Sequence, residues 1–124
     1  MKTMKGSAIQ VKNFGKPDEV RTFDKGKVEI VNVDGKTIGR GVFQPGWKWS
    51  ESVKPIVKTE SCQASHTAYQ LSGRLHVVMN DGTEFEFGPG DVGVVPPGHD
   101  AWVVGNEPVV ALDITGMVDY AKKT

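Results

Sequence analysis

The chain has no means of forming a disulfide within itself, because Cys62 is the only cysteine among its 124 residues. A scaffold stapled by cystines is excluded, and this usage suits a reducing cytoplasm. Net charge is also lacking, since fifteen basic residues balance fifteen acidic ones. No block of like charge stands out, which argues against nucleic acid and against an anionic membrane surface as partners. No apolar run approaches the length of a membrane span. The opening Met1-Lys2-Thr3-Met4-Lys5-Gly6 lacks the apolar stretch of a signal peptide. The expectation is a soluble cytoplasmic protein. Helical periodicity is scarce as well.

Turn formers are plentiful. Fifteen glycines and seven prolines divide the chain into short apolar segments, the pattern of many strands joined by tight turns. Residues 1–26 read as a polar arm with one short strand, 27–116 as a single barrel domain, and 117–124 as a tail or short helix. Within the barrel, Val28 to Val33 meets Asp34-Gly35, a strong hairpin signal, and Thr37 to Phe43 returns. Thr59 to Leu71 reads as one long strand, Ser72-Gly73 as a turn, and Arg74 to Met79 as its partner. Thr83 to Phe87 alternates, with Phe85 and Phe87 on one face. Val92 to Val95, Ala101 to Val104 and Val109 to Ile114 complete an all-β set of about eight to ten strands, a number that suits a jelly-roll barrel.

Side chains on a strand alternate with period two. If 59–71 is one strand, Glu60, Cys62, His66, Ala68 and Gln70 share a face, one better suited to a partly polar cavity than to a dry core. Thiolate and imidazole favour zinc or iron, and a carboxylate is acceptable to both. By the same alternation His99 shares its face with Ala101 and points inward at the rim. His76 opposes the apolar Leu75, Val77 and Met79 and reads as surface. In an extended strand Cys62 and His66 would lie ~13 Å apart, out of hydrogen-bonding reach, so a nucleophilic Cys62 would need His99 from another strand as its activating partner.

Two stretches resemble the motifs of the cupin family. Gly90, Pro96 and Gly98 match the second motif, with Ala101 where that family has its metal-binding histidine. Gly73 matches the last glycine of the first motif. There His66 takes the glutamate position, and Glu60 and Cys62 take the two histidine positions. Thirteen residues separate Gly46 from Glu60 where the motif has five, so Trp47 to Thr59 reads as an insertion at the barrel mouth, a lid or an intersubunit arm.

The resemblance implies a double-stranded β-helix, or jelly-roll, barrel that binds a small molecule inside, in a homodimer. If a metal is bound, the candidate ligands are Cys62 and His66 at motif positions and His99 by alternation, with Glu60 fourth, and that donor chemistry suits zinc or iron. An oxygenase or isomerase acting on a small organic acid or sugar-like substrate is one expectation. A metal-free, non-catalytic ligand-binding or sensory module is the other. Trp102, Gln70, Tyr69 and Trp49 are the candidate substrate-binding residues, Trp102 as a stacking wall.

Overall fold

The computed structural model describes residues 9–118 and 120–122. The first eight residues of the arm, and positions 119, 123 and 124 of the tail, lie outside the described residues. Nine strands run in the order β1 (Glu19–Phe23), β2 (Gly26–Val33), β3 (Lys36–Phe43), β4 (His66–Ser72), β5 (Arg74–Met79), β6 (Glu84–Phe87), β7 (Val92–Val95), β8 (His99–Val104) and β9 (Val109–Asp113). Two short helices, α1 (Trp49–Ser52) and α2 (Lys54–Val57), lie between β3 and β4. No helix among the described residues is long and apolar enough to cross a membrane.

Local chemistry explains the joints. Asp34 and Gly35 both have positive φ, 50° and 74°, and link Val33 to its cross-strand partner Lys36 in a two-residue hairpin. Gly73 has φ 75°, and a Cβ there would lie 2.5 Å from the Pro108 carbonyl oxygen. This motif glycine therefore turns β4 into β5 while letting another loop pass close by.

All strand pairs are antiparallel. One sheet runs β1-β2-β3-β9-β4-β7, and the other runs β6-β5-β8. The two sheets enclose a core that includes Val28, Ile30, Phe43, Val77, Ala101, Val103 and Val109. This is the all-β double-stranded β-helix that the motif resemblance implies. β1, assigned by sequence to the arm, is an edge strand of the larger sheet.

The insertion is neither a free arm nor a detached lid. Trp47, Trp49 and Val53 are buried in the main core, so the stretch around α1 packs into the barrel, while α2 buries no residue fully. The Asp100 carboxylate accepts a hydrogen bond from the Ser50 amide at 3.1 Å, which supplies α1 with a cap that Lys48 does not give. The tail returns to the same region, burying Met117, Tyr120 and Ala121. Arg21 holds it there, its guanidinium donating to the carbonyls of Met117 (2.9 Å), Val118 (3.0 Å) and Tyr120 (2.7 Å).

Candidate metal centre

Sequence suggests a continuous strand from Thr59 to Leu71, but β4 begins only at His66. Lys58 ends α2 in the left-handed region at φ 62°, and residues 59–65 follow without regular pairing. Their one β-bridge pairs Cys62 with His99. The Cys62 amide donates to the His99 carbonyl at 2.7 Å, and the Gly98 amide to the Cys62 carbonyl at 2.7 Å. The Pro96-Pro97-Gly98 turn therefore fixes the backbone of Cys62 as well as ending β7. Because 63–65 are not extended, the expected separation along a strand does not apply. Cys62 Sγ lies 3.7 Å from His66 Nε2.

His66 opens β4, His99 opens β8 and Asp113 closes β9, all at one end of the barrel. His66 Nδ1 is hydrogen-bonded to Asp113 Oδ2, and His99 Nδ1 donates to the Pro96 carbonyl at 2.7 Å. Both acceptors hold their ring by Nδ1, so Nε2 is the atom each ring presents to a third party. The rings sit 5.3 Å apart at 65°. The donor atoms of Cys62, His66 and His99 all lie within 4.8 Å of one another. The edge of Tyr120 closes over His66, with centroids 5.5 Å apart at 74°.

Electrostatics ties the group together. Burial alone would push the Cys62 thiol up. Hydrogen bonding to His66 and His99, with their charge, more than offsets this and brings it down to about 6. Burial alone would push His66 down, but its bonds to Asp113 and Cys62 raise it to about 9. At neutral pH the pair is a buried thiolate facing an imidazolium, with a carboxylate behind. Tyr120 is held well above its ordinary value by burial first, then by the charges of Cys62 and Asp113.

The sequence-level candidates separate. Cys62, His66 and His99 come together. Glu60 does not: its side chain is 98% exposed and pairs with Lys54 at 3.3 Å, because the irregular 59–65 segment breaks the alternation that placed it inward. Trp102 is also corrected. Alternation in β8 buries His99, Ala101 and Val103 and turns Trp102 to the outer face. There it stacks on His76 at 4.8 Å beneath the Lys48 ammonium, so it is no wall for a ligand in the barrel. Tyr69 is 40% exposed on the outer side of β4. Gln70 is buried and faces the interior, but its amide is spent on the carbonyls of Gly73 (2.7 Å) and Phe87 (3.0 Å). Trp49, 2% exposed, does line the site.

Asp113, Gly116 and Tyr120 are functional positions that sequence reasoning missed. A Cβ at Gly116 would collide with His66 Nδ1 and lie 2.9 Å from Asp113 Oδ2, so the glycine makes room for the pair. The available signal was an acidic residue ending the last apolar strand, followed three places later by glycine.

Two spaces meet here. A chamber of about 90 Å³ lies inside the barrel, walled by Phe43, Trp47, Phe87, His66, His99 and Asp113 among others. A cleft of about 610 Å³ lies outside it, between residues 49–65 on one side and residues 115–118 and 120–122 on the other, and Cys62 lines it. Trp49 and Tyr120 border both. The space within the barrel is thus the smaller of the two.

The profile of the EutQ-like cupin domain matches residues 44–112, more than half of the chain. The chain belongs to the EutQ-like cupin family. Among solved structures, the cupin is similar to an oxalate decarboxylase of Lactobacillus farciminis in complex with formate, at 25% identity and a TM-score of 0.58. That match covers 82% of this chain and 32% of the other, so this cupin spans about a third of the decarboxylase's length. A protein of unknown function from Rhizobium leguminosarum is similar at 26% identity and a TM-score of 0.56, covering 74% of this chain and 81% of that one. A cupin-like protein of Thermotoga maritima, at 18% identity, TM-score 0.54 and coverage of 77% and 72%, shares the fold. No curated protein matches the chain.

Proposed function

We propose that this cupin is a small-molecule metalloprotein that holds zinc or iron on Cys62, His66 and His99. One observation carries the reading: both imidazoles are locked through Nδ1 on oxygen acceptors, and their donor atoms lie within 4.8 Å of a thiolate sulfur. Oriented imidazole nitrogens, with His66 giving up its Nε2 proton on binding, and an ionised sulfur are the donors those metals favour. The 3.7 Å between sulfur and nitrogen is close to the ~3.5 Å between two ligands of one tetrahedral zinc, given usual bond lengths. Three protein donors is the number found in catalytic zinc sites, whereas structural sites have four. When bound, such a metal supplies Lewis acidity or an oxygen-binding centre. The protein's own groups set the surroundings. Asp113 orients His66 and keeps its Nδ1 proton, while Trp49 and Tyr120 keep bulk water away.

The finer reading is a metal-dependent enzyme acting on a small organic acid, and the similarity to an oxalate decarboxylase favours it over a passive binder. A second reading rests on the run Cys62–His66–Asp113, a nucleophile–base–orienter order. In that case Cys62 would act as a metal-free thiolate. Metal analysis of purified protein separates the readings. Zinc or iron near one per chain, retained in Glu60→Ala and lost in Cys62→Ala and His66→Ala, supports the metal site. Protein that is metal-free as isolated and unchanged by a chelator refutes it and leaves the thiolate and the metal-free sensory module.

A further inference from the structure

We infer that the substrate binds in the cleft outside the barrel and is a mid-sized apolar molecule with a single carboxylate or carbonyl head. The place follows from the two volumes. The inner chamber, about 90 Å³, falls below the ~300 Å³ lower end of small-molecule sites. The cleft, at about 610 Å³, falls inside the ~300–1,000 Å³ of small-molecule sites. Substrate therefore approaches Cys62 from the cleft, while His66 and His99 face the chamber behind it.

The chemistry of the walls sets the class. Trp49, Val53 and Val57 from the inserted helices form one side, and Val118, Tyr120 and Ala121 from the tail form the other. An apolar body gains from burial between them, at ~25 cal/mol per Å². A two-carbon diacid has no such body. Among the described lining residues there is no carboxylate, and the one basic side chain is Lys122. Thr59, Gln63, Ser65 and Thr115 add polar groups to the lining. The head group's role rests on the metal reading proposed above, since it is the end that reaches the metal. The location and the apolar body do not.

Calorimetric titration of the protein as isolated, with metal content measured on the same sample, tests this inference. The probes are 4-phenylbutyrate and oxalate. Phenylbutyrate should bind at least about tenfold tighter, which ~60 Å² of buried apolar surface supplies, and it should slow alkylation of Cys62 by iodoacetamide. Val57 is only partly buried, on α2, and is not one of the three donors. Val57→Glu should weaken phenylbutyrate binding about tenfold or more, and Val57→Lys should preserve or tighten it, with metal content unchanged in both. Oxalate binding as tightly as phenylbutyrate overturns the inference, as does Val57→Glu without effect. Phenylbutyrate binding that responds to Val57→Glu in metal-free protein supports the cleft and refutes the metal. A full complement of metal with no phenylbutyrate binding does the reverse.

Discussion

Cys62 and His66 touch only because the three residues between them are not a strand. That contact sets the behaviour of the site as pH changes. Cys62 ionises at about 6 in the fold against an ordinary 9.0, so its contribution to stability is present above pH 9.0 and lost as pH falls through 6. His66 titrates at about 9 against an ordinary 6.5, so its contribution is present below pH 6.5 and lost as pH rises through 9. Between 6.5 and 9 the two proton differences cancel, and the pair leaves the stability of metal-free protein nearly flat with pH. Metal uptake does not cancel in this way, because it must expel the His66 Nε2 proton. Affinity should rise about tenfold per pH unit between about 6 and 9 and then level off, as metal titration at fixed ionic strength would show. In metal-free protein, iodoacetamide should alkylate Cys62 with an apparent pKa near 6, and bound metal should protect it. A single slope near pH 8.5 would contradict the thiolate assignment. Gly116→Ala should push His66 off Asp113, move that apparent pKa upward and lower metal content, while leaving the hairpins intact.

At the scale of elements, two additions to the barrel build the site's outer half. Trp49 in the inserted α1 is a core residue, so Trp49→Ala should cost about 3–5 kcal/mol in denaturant unfolding. A detached lid would tolerate the change. The tail is held from across the molecule by Arg21. Removing the guanidinium in Arg21→Ala leaves three carbonyls without that donor, at a cost of about 2–4 kcal/mol. The same change should speed alkylation of Cys62 by uncovering it, a readout that mere loss of stability elsewhere would not produce under native conditions. Strand elements were legible in the sequence wherever turn chemistry bounded them: Asp34-Gly35, Ser72-Gly73 and Pro96-Pro97-Gly98 all mark real ends. His99 was legible for the same reason, since β8 keeps its alternation from its first residue. Glu60 was misplaced because alternation was extended into 59–65, where a bridge to His99 and a left-handed Lys58 set the path instead. Asp113 and Tyr120 were not legible. Their partners lie 47 residues away for Asp113 and on a strand in mid-chain for Tyr120, and no local pattern encodes a contact at that range.

Across the whole molecule, the three donors come from the 59–65 loop and from the first residues of strands in each of the two sheets. A metal bound there would tie both halves of the barrel together. At a free concentration a hundred times its Kd it should stabilise the fold by about 2.7 kcal/mol. Chelation should then lower Tm by on the order of 10 °C for a chain of this size, measured by scanning calorimetry with and without chelator. The Arg21 latch has a further consequence, in time. Arg21 is synthesised 96 to 99 residues before the carbonyls it holds at Met117 and Tyr120. During synthesis the guanidinium waits without those acceptors, and the wall that Tyr120 makes beside His66 is absent. The chain can pair its first hairpin early, but the Tyr120 side of the cleft forms only after residues 117–120 have left the ribosome. That wall is therefore made after every strand of the barrel, and a ribosome stalled before residue 117 carries the nine strands without it.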